Sequence, residues 1–333
     1  MTASRRTMLQ LAAVGALLPA AARAETNAIR IGIQYGLTYL PFAVVQHEAL
    51  IERRAKELGL GDVTVTWNRS AGGTIMNDAL LADTLDCAAT GFPSFFVLWS
   101  RARGRLAVKA LASYGSTPLL LITRNPAVKT IADFTDADRI CVPSVKSSIQ
   151  AQLLQMAAEK QLGEYDRLDH LTVSRSHPDA MAALLSNMGE INSAFSAPPY
   201  QYQALARPGI HVVTTSVEIF GGPLSNGILY MTERFHDQNP LAVKAINLAL
   251  RDALAIVAND QRRTAEMYLE TSGERLGVDT VLQTLAAPGT VFDAVPRGTM
   301  KYAEFMRKTG AIQRAPVAWR DVFFPEAYDL PGD

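Results

Sequence analysis

Apolar and polar positions alternate along Ile29-Arg30-Ile31-Gly32-Ile33, the period of a strand with one buried face. A loop from Gln34 to Leu40 leads to Pro41, which suits the first position of a helix that the spacing carries to about Leu58. The pattern then predicts a strand at 63–67, a helix at 74–83, a strand at 86–90, a helix from Pro93, and strands near 106–112 and 118–123. After Arg124-Asn125-Pro126 the order restarts. A short helix near 129–135 precedes a strand at 139–142, a helix from Ser148, a strand at 171–174, a helix from Pro178 and a strand at 191–195. Residues 239–310 read as mainly helical, most clearly Pro240 to Asn259 with Asn239 as its N-cap. Strands alternating with helices predict an α/β fold on parallel, doubly wound sheets.

Two segments repeat one another. ALLADTLDCAATGFP at 79–93 and ALLSNMGEINSAFSAP at 183–198 both run as helix end, acidic turn, small-residue strand and Pro-containing loop, with Asp86 and Glu190 in corresponding places. Together with the restart, this predicts two similar α/β lobes crossed twice by the chain. Lobe 1 takes 25–123 and 222–333, lobe 2 takes 124–221, and the hinges fall near 123–126 and 219–223. Gly221 and Gly222 suit a segment of unusual backbone conformation.

The first 24 residues stand outside that plan. An Arg5-Arg6 pair in SRRTMLQ, an apolar run from Leu11 to Leu18 and the small-x-small site Ala22-Arg23-Ala24 form an export signal in order, twin-arginine-like, with cleavage near Ala24. The run is shorter than the ~20 residues that span a bilayer. Export to the periplasm is expected, by the twin-arginine or the general secretory route. Of the 333 residues 48% are hydrophobic, and 32 basic residues balance 32 acidic ones, so there is no electrostatic footprint for nucleic acid. The two cysteines, Cys87 and Cys141, each fall in a strand-like run and are expected to be buried free thiols.

The sequence "IRIGIQYG" at 29, "SAGGT" at 70–74, "ALLADTLDCAATGFPS" at 79–94, "VPSVKSS" at 142–148 and "ALLSNMGEIN" at 183–192, behind an export signal, resembles the nitrate/sulfonate/taurine class of periplasmic solute-binding proteins. That class is related to the binders of thiamine-pyrimidine precursors. The resemblance implies a type II periplasmic binding protein whose lobes close on a small solute. It also implies delivery to an ABC permease driven by ATPase subunits, with no cofactor; a monomer is expected.

Ligands of open α/β sheets sit beyond the C-terminal ends of strands, where helix starts offer free N–H groups. This rule selects Tyr35, Thr38 and Tyr39; Gly72, Gly73 and Thr74; Gly91, Phe92 and Ser94; Ser144, Lys146, Ser147 and Ser148; Arg175; and Ser196 with Tyr200. Structural alternatives stand beside these: Tyr39 as a staple, Thr74 as a cap, and Phe95 and Phe96, next to Phe92 and Ser94, as core. Ser147 and Gln150 form a Ser-x-x-Gln capping box, which assigns Ser147 to the helix and leaves Ser144, Lys146 and Ser148 for the solute. Arg175 is the favoured partner of an anion, with Arg69 and Lys146 behind it. An anionic solute (sulfonate, taurine-like, nitrate-like or carboxylate) is expected, a pyrimidine-like heterocycle being the alternative.

Nucleophile-elbow, Cys-x-x-Cys, zinc-protease and phosphate-loop motifs are all lacking, and His47, His170, His177, His211 and His236 are scattered. The cysteine cluster of the related pyrimidine-precursor synthases is missing, so no enzymatic activity is expected. A periplasmic ligand-sensing partner is the remaining alternative.

Overall fold

The computed structural model describes residues 25–186, 189 and 191–333. The export segment and Glu190 lie outside the described residues. The strands are β1 (Ala28–Ile33), β2 (Thr64–Arg69), β3 (Cys87–Thr90), β4 (Val108–Ser113), β5 (Leu120–Thr123), β6 (Ile140–Val142), β7 (Thr172–Ser174), β8 (Ser193–Ser196), β9 (His211–Thr215) and β10 (Ile228–Thr232). Among the described residues they form two five-stranded sheets, ordered β2-β1-β3-β10-β4 and β7-β6-β8-β5-β9. Helices α1 (Leu40–His47), α2 (Leu50–Glu57), α3 (Gly73–Leu81) and α4 (Phe92–Arg101) belong with the first sheet. Helices α5 (Ile149–Leu162), α6 (His177–Ser186), α7 (Tyr200–Leu205) and α8 (Ser216–Phe220) belong with the second. The C-terminal helices are α9 (Glu233–Gln238), α10 (Pro240–Asn259), α11 (Gln261–Ser272), α12 (Val278–Leu285) and α13 (Thr299–Lys308).

The two sheets have the same plan, but neither is purely parallel. In the first, β10 runs antiparallel to β3 and β4; in the second, β5 runs antiparallel to β8 and β9. Each reversed strand is the one that enters its sheet directly from the other lobe. Both carry side chains that are buried in alternation on two faces. In β10, Ile228 and Tyr230 join one core, while Leu229 and Met231 join another. In β5, Leu121 faces the first of those cores, and Leu120 and Ile122 face a third. A strand apolar on both faces gives no alternating signal, which is why Ile228–Thr232 did not stand out in the sequence.

Several expected boundaries shift. Strand β5 lies in the second sheet, so the chain leaves the first lobe through 114–119, ahead of the expected hinge at 123–126. The return runs through 221–227, where Gly221 (φ 83°) closes α8 in the left-handed region. A third passage flanks these two: Ser116 and Val291 exchange backbone hydrogen bonds of 2.6 and 2.9 Å, and Ser225 N donates to Arg297 O. The C-terminal helices do not all complete lobe 1. Helix α13 packs on α4 but also reaches α5, with Lys308 2.9 Å from Glu159 and Tyr165 donating to Thr309 O.

The predicted helix 41–58 is broken at Ala49, which adopts φ 46°, giving α1 and α2, and each half then packs on α10. Asn239 precedes α10 without capping it. Its Oδ1 instead accepts from Thr26 N, and the Glu25 carboxylate accepts from Leu241 N and Ala242 N at 2.9 and 3.0 Å. A carboxylate at a helix start is favoured by the dipole, so the first described residues are pinned to the C-terminal half. Asp86, singled out by the repeat, accepts from Arg30 N (2.7 Å) and from the Arg30 guanidinium in a two-pronged pair (2.9 and 2.7 Å).

Both cysteines are free and buried, one in each sheet. Burial pushes the Cys87 thiol well above its ordinary value, and pushes Cys141 up to about 11 against the pull of Arg175. A protonated thiol is a poor nucleophile. Native protein at neutral pH is therefore expected to resist a chromogenic disulfide reagent, and both thiols to react once the chain is unfolded in denaturant. Stoichiometric labelling within minutes under native conditions would contradict that.

Candidate functional site

The largest convergence of predicted site residues is the cleft between the two sheets. It is lined by residues from both lobes and from the crossing segments. Of the residues selected from sequence, Tyr35, Thr38, Tyr39, Gly73, Gly91, Ser94 and Ser148 reach it. Gln34, Thr90, Leu119, Pro143, Ile149, Gln150, His177, Ala197 and Asn226 complete the lining.

The lobes meet across this cleft in a closed arrangement. Leu37 N donates to Pro198 O at 2.8 Å, Ser94 Oγ donates to Ser147 O at 2.9 Å, and the hydroxyls of Thr74 and Ser147 lie 3.2 Å apart. Tyr200 OH donates to Glu274. Two glycines make the approach possible. A Cβ on Gly72 would collide with Ser144 and Pro143, and one on Gly91 with the side chain of Ile149. These glycines thus admit the opposite lobe, rather than only a ligand.

The remaining predicted residues do not line the cleft. Gly72 and Thr74 sit at the lobe contact; Thr74 is the second residue of α3 and caps nothing. Phe92 is fully buried, its ring stacked at 5.9 Å on Phe96. Ser144 accepts, through its carbonyl, from Ser148 N and Oγ. Lys146 is exposed and lies 3.8 Å from Asp169. The two serines exchange their expected roles. Ser148, not Ser147, is the N-cap of α5, accepting from Ala151 N at 3.2 Å, while Ser147 makes the lobe contact. The helix begins one residue later than the Ser-x-x-Gln spacing suggests, because Lys146 takes φ 60° in the preceding turn. Ser196 is buried in β8 opposite Leu120, and Tyr200 is the closing contact to Glu274.

No favoured cation reaches the cavity. Arg175 is exposed and outside the lining, and Arg69 donates to Ser272 O and Thr271 O (3.0 and 3.1 Å), capping the C-terminus of α11. Among the described residues the lining carries no charged side chain. Its polarity comes instead from neutral groups and helix starts. The first turns of α3, α4, α5 and α6 all open on the cavity, through Gly73, Gly91 and Ser94, Ile149 and Gln150, and His177. They are not equivalent. Ser148 caps α5, and Ser176 Oγ accepts from Asp179 N at the start of α6. In lobe 1, α3 and α4 follow glycines, Gly72 and Gly91, and have no side-chain cap. Their first N–H groups have no intrahelical acceptor, and the helix dipole makes those ends favourable for negative charge.

His177 is buried and stacked on Tyr200 with ring centroids 5.9 Å apart and planes at 17°, with Gln150 Nε2 3.4 Å from its Nε2. Burial lowers its pKa to about 4, so the imidazole is neutral in the cleft at neutral pH. Among the described residues no group of three or more His, Cys, Asp or Glu side chains is placed to hold a metal ion. Gln150 and Asn226 were invisible as site residues. The first looked like half of a capping box, and the second precedes a strand that the hydrophobic pattern did not reveal.

The fold so described is that of the periplasmic binding proteins, two α/β lobes around a cleft. It is similar to the alkanesulfonate-binding protein SsuA from Xanthomonas axonopodis pv. citri, bound to MOPS, with TM-score 0.70 and 18% identity over 90% of this chain and 99% of that one. A ligand-binding component of an ABC-type import system from Staphylococcus aureus gives 0.67 and 16% over 91% and 98%. The periplasmic nitrate-binding protein NrtA from Synechocystis PCC 6803 gives 0.59 and 14% over 77% and 69%. No family model matches the chain, and no curated protein matches its sequence.

The buried imidazole makes stability depend on pH. In the unfolded chain His177 takes up its proton near 6.5, but in the folded protein only near pH 4. Between those values the unfolded state binds more protons, so stability falls as pH drops through that window and is unaffected by this group above it. The wild type is expected to lose up to ~3 kcal/mol more than His177→Gln between pH 7 and pH 4, measured by denaturant unfolding at each pH. Parallel curves for the two proteins would contradict the assignment.

Proposed function

We propose that this protein is the periplasmic substrate-binding component of an ABC importer. It captures a small organic solute by lobe closure and presents it to a membrane permease served by ATPase subunits. One observation carries the reading: a cleft without a charged side chain, on which four helix starts converge, two of them uncapped. Such a site suits an anionic head, whose oxygens take the free N–H groups of α3 and α4 while the helix dipoles supply the compensating positive end. A side-chain cation is not needed for this. The similarity to sulfonate- and nitrate-binding proteins supports the same class, a sulfonate, carboxylate or nitrate-like solute. Binding of this kind requires no covalent step, and the proposal includes none.

A second reading rests on the rings. Tyr35, Tyr39 and His177 line the cavity together with the amides Gln34 and Gln150, a lining that also fits an uncharged planar heterocycle. A polar heterocycle would stack on these rings and pair with the amides.

A thermal-shift panel separates the two. Methanesulfonate, taurine, MOPS, benzoate and nitrate form one arm, and 4-aminopyrimidine and its relatives the other. A ligand at a hundred times its Kd stabilises the native state by about 2.7 kcal/mol, a rise of roughly 4 °C for a chain of this size. An anion that shifts the midpoint, with no heterocycle doing so, is the expected result. A shift from the heterocycle alone favours the second reading, and turnover of any bound compound would overturn both.

A further inference from the structure

The crossing segments do more than connect the lobes. Asn226 lies in the return passage, one residue after Ser225 and two before β10, and it is 4% exposed. Its backbone N donates to Gly115 O at 2.8 Å, and its Oδ1 accepts from Thr117 N and from Thr117 Oγ1. Gly115 and Thr117 belong to the outward passage, so one side chain ties the two crossings together. The orientation of this amide is chemically determined. A backbone N–H can only donate, so the atom facing Thr117 N must be the oxygen, and the nitrogen is left on the other side.

That nitrogen, Nδ2, is buried and has no hydrogen-bond partner among the described residues, and Asn226 lines the cleft. A buried donor without an acceptor costs about 1–3 kcal/mol, and of the eight buried side-chain atoms without a partner among the described residues only Asn226 Nδ2 belongs to a residue that lines the cleft. The two serine hydroxyls in the lining have their hydrogens committed, and so is one of the two hydrogens of Gln34 Nε2. Ser94 donates to Ser147 O, Ser148 donates to Ser144 O, and Gln34 Nε2 donates to Thr90 Oγ1 at 2.7 Å. Asn226 is therefore a lining residue whose buried side-chain donor is unmatched by any protein acceptor among the described residues.

We propose that Asn226 is a solute-binding residue: its amide nitrogen donates to an acceptor atom of the bound molecule, while its oxygen holds the two crossings in register. The inference rests on the receptor reading above and deepens it, because it requires the solute to present an acceptor at the hinge end of the cleft. It assigns to the hinge itself a part of the recognition that would otherwise fall to the lobes alone.

The test is calorimetric titration of wild type, Asn226→Asp and Asn226→Ala with methanesulfonate, benzoate and 4-aminopyrimidine, beside a co-crystal structure of the wild type with whichever probe binds tightest. Asp keeps an oxygen for Thr117 but replaces the donor by an acceptor. Loss of a hydrogen bond to a charged partner predicts about 10- to 100-fold weaker anion binding for Asn226→Asp, with a comparable loss in Asn226→Ala. The co-crystal is expected to show a solute oxygen or ring nitrogen within hydrogen-bond distance of Nδ2. Wild-type affinity in both variants, or a bound probe that leaves Nδ2 without a solute contact, overturns the inference while the receptor reading stands. If neither variant folds, the co-crystal alone decides between these outcomes. A ring nitrogen seated on Nδ2 supports the inference while displacing the anionic solute. A wild type that binds none of the probes overturns the receptor reading and this inference together.

Discussion

Two helices begin at the floor of the cleft with nothing of their own to satisfy their first N–H groups. Helices α3 and α4 follow Gly72 and Gly91, neither of which offers a capping side chain. The lobe 2 helices facing them are closed off by Ser148 and Ser176. The asymmetry has a physical consequence: lobe 1 carries the unmet donors, and lobe 2 supplies the lid. The same glycines that leave the helix starts bare also let Pro143, Ser144 and Ile149 approach closely. A larger residue at either position would collide with the second lobe and hold the lobes apart.

Closure depends on a small set of contacts. Polar bonds from Leu37, Thr74, Ser94 and Glu274 to the second lobe surround the cavity mouth. Beneath them, a shared apolar core runs from Phe92 and Phe95 through Ile149 and Leu153 to Phe220 and Tyr302. Polar contacts at an opening are easily exchanged for water, whereas the apolar layer and the three crossing passages are not. That division suits the lobe closure proposed above, with an apolar joint beneath a polar seam. Helix α13, packed on α4 and tied to α5 by Lys308 and Glu159, spans the two lobes as part of that layer.

Much of this architecture was legible in the residues. The repeated ALL segments lead into β3 and β8, which occupy equivalent central places in the two sheets, each next to its sheet's reversed strand. What the pattern could not show is strand direction, because β5 and β10 are buried on both faces and their periodicity is the same whichever way they run. The site was half visible for a related reason. Positions after strands can be read from spacing, and Tyr35, Gly73, Gly91 and Ser94, selected that way, line the cleft. Asn226 could not be, since its value lies in a hydrogen bond to a segment 109 residues away. The charged candidates failed on geometry: Arg69 is spent on a helix C-terminus and Lys146 faces Asp169, outcomes that depend on tertiary neighbours.

Lobe closure as proposed above requires that a bound solute, rather than lobe contacts alone, hold the cleft shut. Single-molecule energy transfer between one dye on each lobe tests it directly. The native thiols are buried, so introduced cysteines on exposed helix positions can carry the dyes. Without a solute the inter-lobe distance is expected to include a longer, open population, and a saturating stabilising solute should collapse it onto the shorter, closed one. A distance distribution that stays unchanged while the solute is demonstrably bound would contradict the account.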